Sequence, residues 1–197
     1  MTLRDDDQLI EAKLIDAGED VMIGTRNGMA IRFNESDVRV TGRSSMGVRG
    51  ISLDADDEVI GMQKLSQGDY VLVVSEKGMG KLTHADEFKA QKRGGKGLHC
   101  YRITEKTGKL VGFKLTSKER EIMLITNEGV IIRMSLKDAK DIGRNTSGVK
   151  FMNIDPESDT VIASIAKVRE STTEAYEAEL AETETVPEDT EDAGEDN

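Results

Sequence analysis

VMIGTRNG (Val21–Gly28), VLVVSEKG (Val71–Gly78) and IMLITNEG (Ile122–Gly129) are three versions of one element, at offsets of 50 and 51 residues. Each is an apolar run that enters a polar turn ending on Gly. Such runs, rich in Val and Ile and closed by Asn-Gly, Lys-Gly or Glu-Gly, are hairpin signals, because Gly supplies the positive φ of a tight turn. Two more anchors keep the same register. RSSMG (Arg43–Gly47), RGGKG (Arg93–Gly97) and RNTSG (Arg144–Gly148) open on Arg and close on Gly; Val59-Ile60-Gly61, Leu110-Val111-Gly112 and Val161-Ile162-Ala163 follow. Between them Ile31 and Phe33 alternate with Arg32, as in a strand with one wet face. Only ESDV (Glu35–Val38), HADEF (His84–Phe88) and LKDA (Leu136–Ala139) suggest a helical turn. A repeat of this length built from short strands predicts an all-β, propeller-like array of four-stranded blades.

The third anchor also occurs at Leu9-Ile10, after LRDDDQ (Leu3–Gln8), as Val59 follows LDADDE (Leu53–Glu58). The expectation is therefore the end of one blade over residues 1–19, then blades over about 20–68, 69–118 and 119–168. A start part-way through a repeat reads as a fragment of a longer polypeptide.

The chain has 197 residues and a formal net charge of -11, unevenly placed. Residues 169–197 hold 12 acids against the single base Arg169, and have almost nothing large and apolar to bury, so this tail is expected to be disordered. Residues 21–168 carry 24 bases and 19 acids, and the densest part, 77–120, has 12 bases and four acids. A basic centre and an acidic end are hidden by the overall pI. One cysteine, Cys100, excludes an internal disulfide framework, and no run approaches the roughly 18 apolar residues that span a bilayer. A cytoplasmic protein without a membrane partner is expected.

Chemistry-bearing motifs are few. His84, His99 and Cys100 lack the second pair of ligands that a zinc site needs, so no metal site is expected. DADDE (Asp54–Glu58) lacks the spacing of a calcium loop and reads as a turn. No phosphate-binding GxxxxGK[ST] motif and no catalytic set is visible. The remaining signal is the Arg-to-Gly anchor. Lys92, Arg93 and Lys96 put charge on a loop where Gly94, Gly95 and Gly97 let a backbone approach a phosphate and present N–H groups. By itself the loop is a Gly-rich turn on a solvated basic face. With Arg43 and Arg144 at equivalent positions it becomes one step of a belt, able to hold bent DNA through contacts that position without reading sequence. Arg49, Lys150 and Arg102 lie close enough in sequence to contribute, whereas Arg32 and Arg133 read as solvent-face residues.

The order strand, Asn-Gly turn, strand, GRSSMGVRGI (Gly42–Ile51), DDEVIG (Asp56–Gly61) resembles the C-terminal DNA-wrapping domain of the DNA gyrase A subunit, over about residues 1–168. That resemblance implies a β-pinwheel, in which a hairpin of each blade packs on its neighbour, here about three blades plus the end of a fourth. QKRGGKG (Gln91–Gly97) is similar to the seven-residue box that separates gyrase from topoisomerase IV, though it stands in the penultimate blade and the family's best-known copy in the first. It implies double-stranded DNA as a partner, held by Arg43, Arg49, Gln91, Lys92, Arg93, Gly94, Gly95, Lys96, Gly97, Arg144 and Lys150. It also implies an A2B2 assembly, made with the rest of the gyrase A polypeptide and with the gyrase B subunit, that supercoils DNA with ATP. No cofactor is expected in this chain, since ATP and Mg would be held by the cleavage core and the partner subunit. The cleaving tyrosine of the family lies upstream; Tyr70, Tyr101 and Tyr176 have no such context. Two other readings remain open: a topoisomerase IV C-terminal domain, and a propeller scaffold for protein partners.

Overall fold

A computed structural model describes residues 2–5 and 7–168. Eleven strands occur among them, all in antiparallel sheets: β1 (Asp20–Thr25), β2 (Met29–Asn34), β3 (Val59–Lys64), β4 (Tyr70–Ser75), β5 (Met79–His84), β6 (Leu98–His99), β7 (Leu110–Thr116), β8 (Glu121–Thr126), β9 (Ile131–Ser135), β10 (Val149–Lys150) and β11 (Ile162–Lys167). The three runs that end on Gly are β1, β4 and β8 with their turns. Each turn is closed the same way. Gly28, Gly78 and Gly129 have φ of +83°, +79° and +83°. A Thr or Ser oxygen at the end of the strand (Thr25, Ser75, Thr126) accepts from the first N–H beyond the turn at 3.1, 3.3 and 3.1 Å.

The strand orders are β3-β1-β2-β6, β10-β5-β4-β7 and β11-β8-β9. The third anchor of each repeat thus returns to its own hairpin as an edge strand, β3, β7 or β11. The opposite edge is filled by the following repeat: β6 pairs with β2 through Met29↔His99 and Ala30↔Leu98, and β10 with β5 through Gly80↔Val149 and Met79↔Lys150. This exchange is the pinwheel arrangement expected from the resemblance. The third sheet has no following repeat among the described residues and keeps three strands.

Side-chain alternation explains the stacking. Along β4, Val71 and Val73 join the core against the first sheet, with Met22, Phe88, Tyr101 and Phe113, while Leu72 and Val74 join the core against the third, with Ile122, Leu124 and Met152. The middle sheet is thereby buried on both faces, whereas β9 is mostly exposed. The sheets approach most closely at their third-anchor strands. A Cβ on Gly61 of β3 would stand 2.9 Å from the Phe113 carbonyl of β7, and one on Gly112 of β7 would stand 2.3 Å from Ile165 of β11. The edges carrying β6 and β10 therefore face outward.

Three expectations are corrected. Leu9-Ile10 forms no strand and is exposed, because β1, against which Val59 pairs, has no equivalent among the described residues of 1–19. Instead Glu11 reaches β3 with its carboxylate, accepting from the Met62 N–H at 3.0 Å. Helical turns form at Glu35–Asp37 and Ala85–Glu87, but Leu136–Ala139 is only a turn; it retains the closing bond, Ala139 N–H to Leu136 oxygen at 3.0 Å. A helical turn at Leu65–Gln67 was not expected from sequence. The expected disorder of residues 169–197 and the position of Tyr176 lie outside the described residues.

Candidate nucleic-acid interface

The Arg-to-Gly anchors fold into the crossings between repeats. Residues 91–99 leave the second repeat and lie along β2 of the first; residues 142–150 leave the third and lie along β5 of the second. The start of each crossing is fixed by a backbone bond, Gln91 N–H to Arg32 oxygen at 2.8 Å and Ile142 N–H to Leu82 oxygen at 2.9 Å. The end is fixed by another, Cys100 N–H to Gly28 oxygen and Phe151 N–H to Gly78 oxygen, both 2.8 Å. The crossings occupy the outward edge of the array, and they place a basic loop there once per repeat.

Within the loops the arginines do more than face solvent. Arg93 donates from Nε to the Asp37 carbonyl at 2.8 Å and from Nη1 to the Arg49 carbonyl at 3.0 Å. Arg144 donates from Nη1 to the His99 carbonyl at 3.0 Å, the matching bond one repeat on, and its guanidinium lies 6.0 Å from the Phe88 ring. Arg43 makes no matching bond among the described residues and is exposed. Each bonded guanidinium has five N–H donors, so the bracing leaves others for a phosphate. Lys92, Arg49 and Arg102 are exposed; Lys96 is exposed and pairs with Asp54 at 3.2 Å, and Lys150 contacts Asn153 at 3.0 Å.

The glycines of the loop differ among themselves. Gly94 and Gly97 have φ of +81° and +77°, while Gly95 does not adopt positive φ. The Gly94 N–H is used by the Gly50 carbonyl at 2.6 Å, and the Gly95 carbonyl accepts from the Ser52 N–H at 2.8 Å. Gly97 is required by a neighbouring strand, since a Cβ there would stand 2.3 Å from the Ala30 carbonyl oxygen; Gly148 meets Gly80 the same way at 2.4 Å. Close backbone approach occurs, but to β2 and β5. Of the three N–H groups, that of Gly94 is taken up within the fold.

Other readings are also adjusted. Arg32 is half-buried and tied to Asp20 at 2.7 Å and to the Phe88 carbonyl at 3.3 Å, because the next repeat's loop covers it; Arg133, which no loop among the described residues covers, is exposed and pairs with Glu121. Tyr101 follows β6 and is fully buried, its hydroxyl donating to the Ser147 carbonyl at 2.6 Å. Burial pushes the Cys100 thiol up to about 12, so it is not a thiolate at neutral pH.

Sequence reasoning missed Lys81. It sits on β5 where the first repeat has Ile31, and it is wholly buried. Its ammonium donates to the Gly143 carbonyl at 2.7 Å, to the Arg144 carbonyl and to the Thr146 hydroxyl at 3.1 Å, and it lies 5.7 Å from the Tyr101 ring. Desolvation brings its pKa down to about 8, with Cys100 and Glu87 opposing the shift and Arg144 adding to it. Lys81 therefore fastens the RNTSG loop from beneath. The signal was present only as a charge at a position whose counterpart is apolar.

Comparison with known proteins agrees with this layout. The family model described as the DNA gyrase C-terminal domain, a β-propeller, matches residues 19–66, 69–117 and 120–166. The DNA gyrase A subunit of Ureaplasma parvum is 42% identical over 86% of this chain and 20% of its own length, and that of Staphylococcus aureus is 38% identical over 96% and 21%. The chain thus spans about a fifth of the length of the curated relatives it matches. Among solved structures, a DNA gyrase A C-terminal domain superposes with a TM-score of 0.78, at 27% identity over 86% of this chain and 57% of that one. A DNA topoisomerase IV C-terminal domain superposes with a TM-score of 0.81, at 26% identity over 92% and 57%.

Proposed function

The chain belongs to the DNA gyrase C-terminal domain family, and from that premise we propose that it binds duplex DNA without sequence preference and bends it around its outward edge. The observation that carries this reading is the alignment of three basic loops, residues 41–50, 91–99 and 142–150, on one side of the array, each fastened to its neighbour. Bending costs on the order of 1 to 6 kcal/mol per 20 to 30 bp, so distributed contacts on a rigid edge suit it better than one patch. Arg43, Arg49, Lys92, Lys96, Arg102 and Lys150 supply exposed charge, and Arg93 and Arg144 supply their remaining donors. Gln91, Gly94, Gly95 and Gly97 shape the loop.

Within a larger A2B2 assembly in the cytoplasm, the chain serves as the wrapping part of a gyrase A polypeptide, joined to the remainder of that polypeptide and partnered with the B subunit. There it gives ATP-dependent supercoiling its direction, while strand cleavage, ATP and Mg belong to the other parts. The QKRGGKG loop and the two gyrase relatives support gyrase. The topoisomerase IV reading is supported by the superposition at a TM-score of 0.81. Closing nicked plasmid with ligase in the presence of the chain tests wrapping: a shifted distribution of linking number is expected, and an unchanged one contradicts it. Grafting the chain onto a gyrase core that lacks its own C-terminal domain separates the two enzymes, since negative supercoiling is expected for gyrase and only relaxation for topoisomerase IV.

A further inference from the structure

The RNTSG loop (Arg144–Gly148) is held to the array by its oxygens. The buried Lys81 ammonium of β5 donates to the carbonyls of Gly143, at 2.7 Å, and Arg144, and to the Thr146 hydroxyl at 3.1 Å. Further along, the Thr146 carbonyl accepts from the Arg102 N–H at 3.0 Å, and the Ser147 carbonyl from the hydroxyl of buried Tyr101 at 2.6 Å. These donors lie on β5 or just after β6, so the loop's carbonyls are drawn onto the fold. In a planar trans peptide the N–H points opposite to the carbonyl. The N–H groups of Arg144, Asn145, Ser147 and Gly148 are therefore turned to the other side. One of them already holds an anionic oxygen: Arg144 N–H donates to the carboxylate of exposed Glu87 at 3.0 Å. Among the described residues no acceptor meets the N–H of Asn145, Ser147 or Gly148.

Positive charge surrounds these groups. Lys81 stands beneath the loop, the Arg144 guanidinium, braced on the His99 carbonyl, stands at its start, and exposed Lys150 follows it. Backbone N–H groups gathered on one side of a turn form an anion-binding concavity, and hydrogen bonds to a charged oxygen are the strong ones. The RGGKG loop is built otherwise. Its counterpart of Lys81 is the apolar, buried Ile31, and its charge is carried outside, by exposed Lys92 and Lys96. On the reading of this edge as the DNA-binding one, we propose that the RNTSG loop is a phosphate cradle: the N–H groups of Asn145, Ser147 and Gly148 bind one phosphodiester of the duplex, and Lys81 is the positioning residue that turns them outward without touching it. The ligand's non-bridging oxygens accept from the N–H groups, and no base is read. An apolar residue at position 81 leaves the Gly143 and Arg144 carbonyls without their buried donor, and those peptides lose the constraint that sets their direction.

The full chain and a short mixed-sequence duplex suffice for the test. In nitrogen-15 spectra of the wild type, the amide protons of Asn145, Ser147 and Gly148 should move downfield as duplex is added. The Lys81 side chain, whose titratable and charged neighbours are Cys100, Glu87 and Arg144, has a midpoint near 8 in the free chain and should titrate at higher pH in the complex. Neither readout needs a variant. Lys81→Met should bind the duplex about tenfold more weakly, the size of one charge-assisted contact. Its salt slope should be smaller by about 0.9, although the side chain replaced is buried. Amide protons of the three residues that stay in place on a bound duplex overturn the cradle, as does a Lys81 midpoint that the complex leaves unchanged. So does a folded Lys81→Met with wild-type affinity and slope. Through any of these results the DNA-binding edge itself stands if Arg43→Ala weakens binding, whereas a duplex that the wild type does not bind removes both.

Discussion

Arg93 donates from Nη1 to the carbonyl oxygen of Arg49 at 3.0 Å, and the same bond recurs one repeat later between Arg144 and His99 at 3.0 Å. In these two loops the arginine is thus also the brace that holds the loop to the one before. A guanidinium can do both, because its planar fork offers donors in fixed directions, whereas an ammonium offers a point charge.

Arg93→Lys should therefore lower stability by about 1 kcal/mol, through loss of the two-pronged contact with Asp37 and Arg49. Arg43→Lys should cost nothing measurable in this chain, since among its described residues Arg43 braces no other repeat. Thermal unfolding of the two variants side by side checks the difference, and equal effects would show that the brace is incidental.

Gly97→Ala and Gly47→Ala place the same methyl on the same backbone conformation, φ +77° and +82°. Each should lose roughly 1 to 2 kcal/mol for the left-handed conformation alone. Only Gly97→Ala drives a Cβ into a carbonyl oxygen, that of Ala30 at 2.3 Å. It should be clearly the less stable of the two in denaturant titrations.

Lys81→Met leaves the carbonyls of Gly143 and Arg144 without their buried donor, and should cost about 1 to 3 kcal/mol. The pH dependence has a definite sign. With its pKa near 8 in the folded chain and an ordinary 10.5 when unfolded, Lys81 sheds its proton first in the folded state. Its contribution to stability is then lowest and constant below pH 8, and rises between pH 8 and about 10.5. The wild type should gain stability relative to Lys81→Met across that window. Carbon-13 titration of the lysine side chain should show one residue with a midpoint near 8.

The repeat and its three strand-rich units were legible because period, turn glycines and alternation are local properties of the chain; the strand exchange was implied only by the family resemblance. What was not legible depends on neighbours. Gly97 needs its lack of a side chain because of Ala30, and Gly94 lies against Arg49, neighbours that are far away in sequence. Arg32 and Arg133 look alike in sequence and differ in the fold, because one is covered by the following loop. Lys81 could not be separated from solvent lysines, since its three acceptors come from the next repeat. Leu9-Ile10 had the sequence of a strand and lacked a hairpin to pair with.

The twelve acids of residues 169–197 are tied covalently to a body with 24 bases over residues 21–168, and can compete with phosphate for them. A chain ending at Val168 should bind DNA more tightly at low salt. The difference should vanish near 1 M, where the Debye length is about 3 Å. Equal affinities at low salt would leave the tail only a solubilising role.

The central claim, that duplex DNA lies on the outward edge through phosphate contacts, is tested most directly by the salt dependence of binding. Affinity for unrelated duplexes is measured for the wild type and for Arg43→Ala over about 50 to 200 mM salt. Among the described residues Arg43 braces no neighbouring repeat, so its loss leaves the Arg93 and Arg144 braces in place. The account predicts a steep log–log slope for the wild type, equal weakening on every sequence for Arg43→Ala, and a slope smaller by about 0.9. Affinity and slope unchanged by Arg43→Ala in a folded chain, or a loss confined to one sequence, would contradict it.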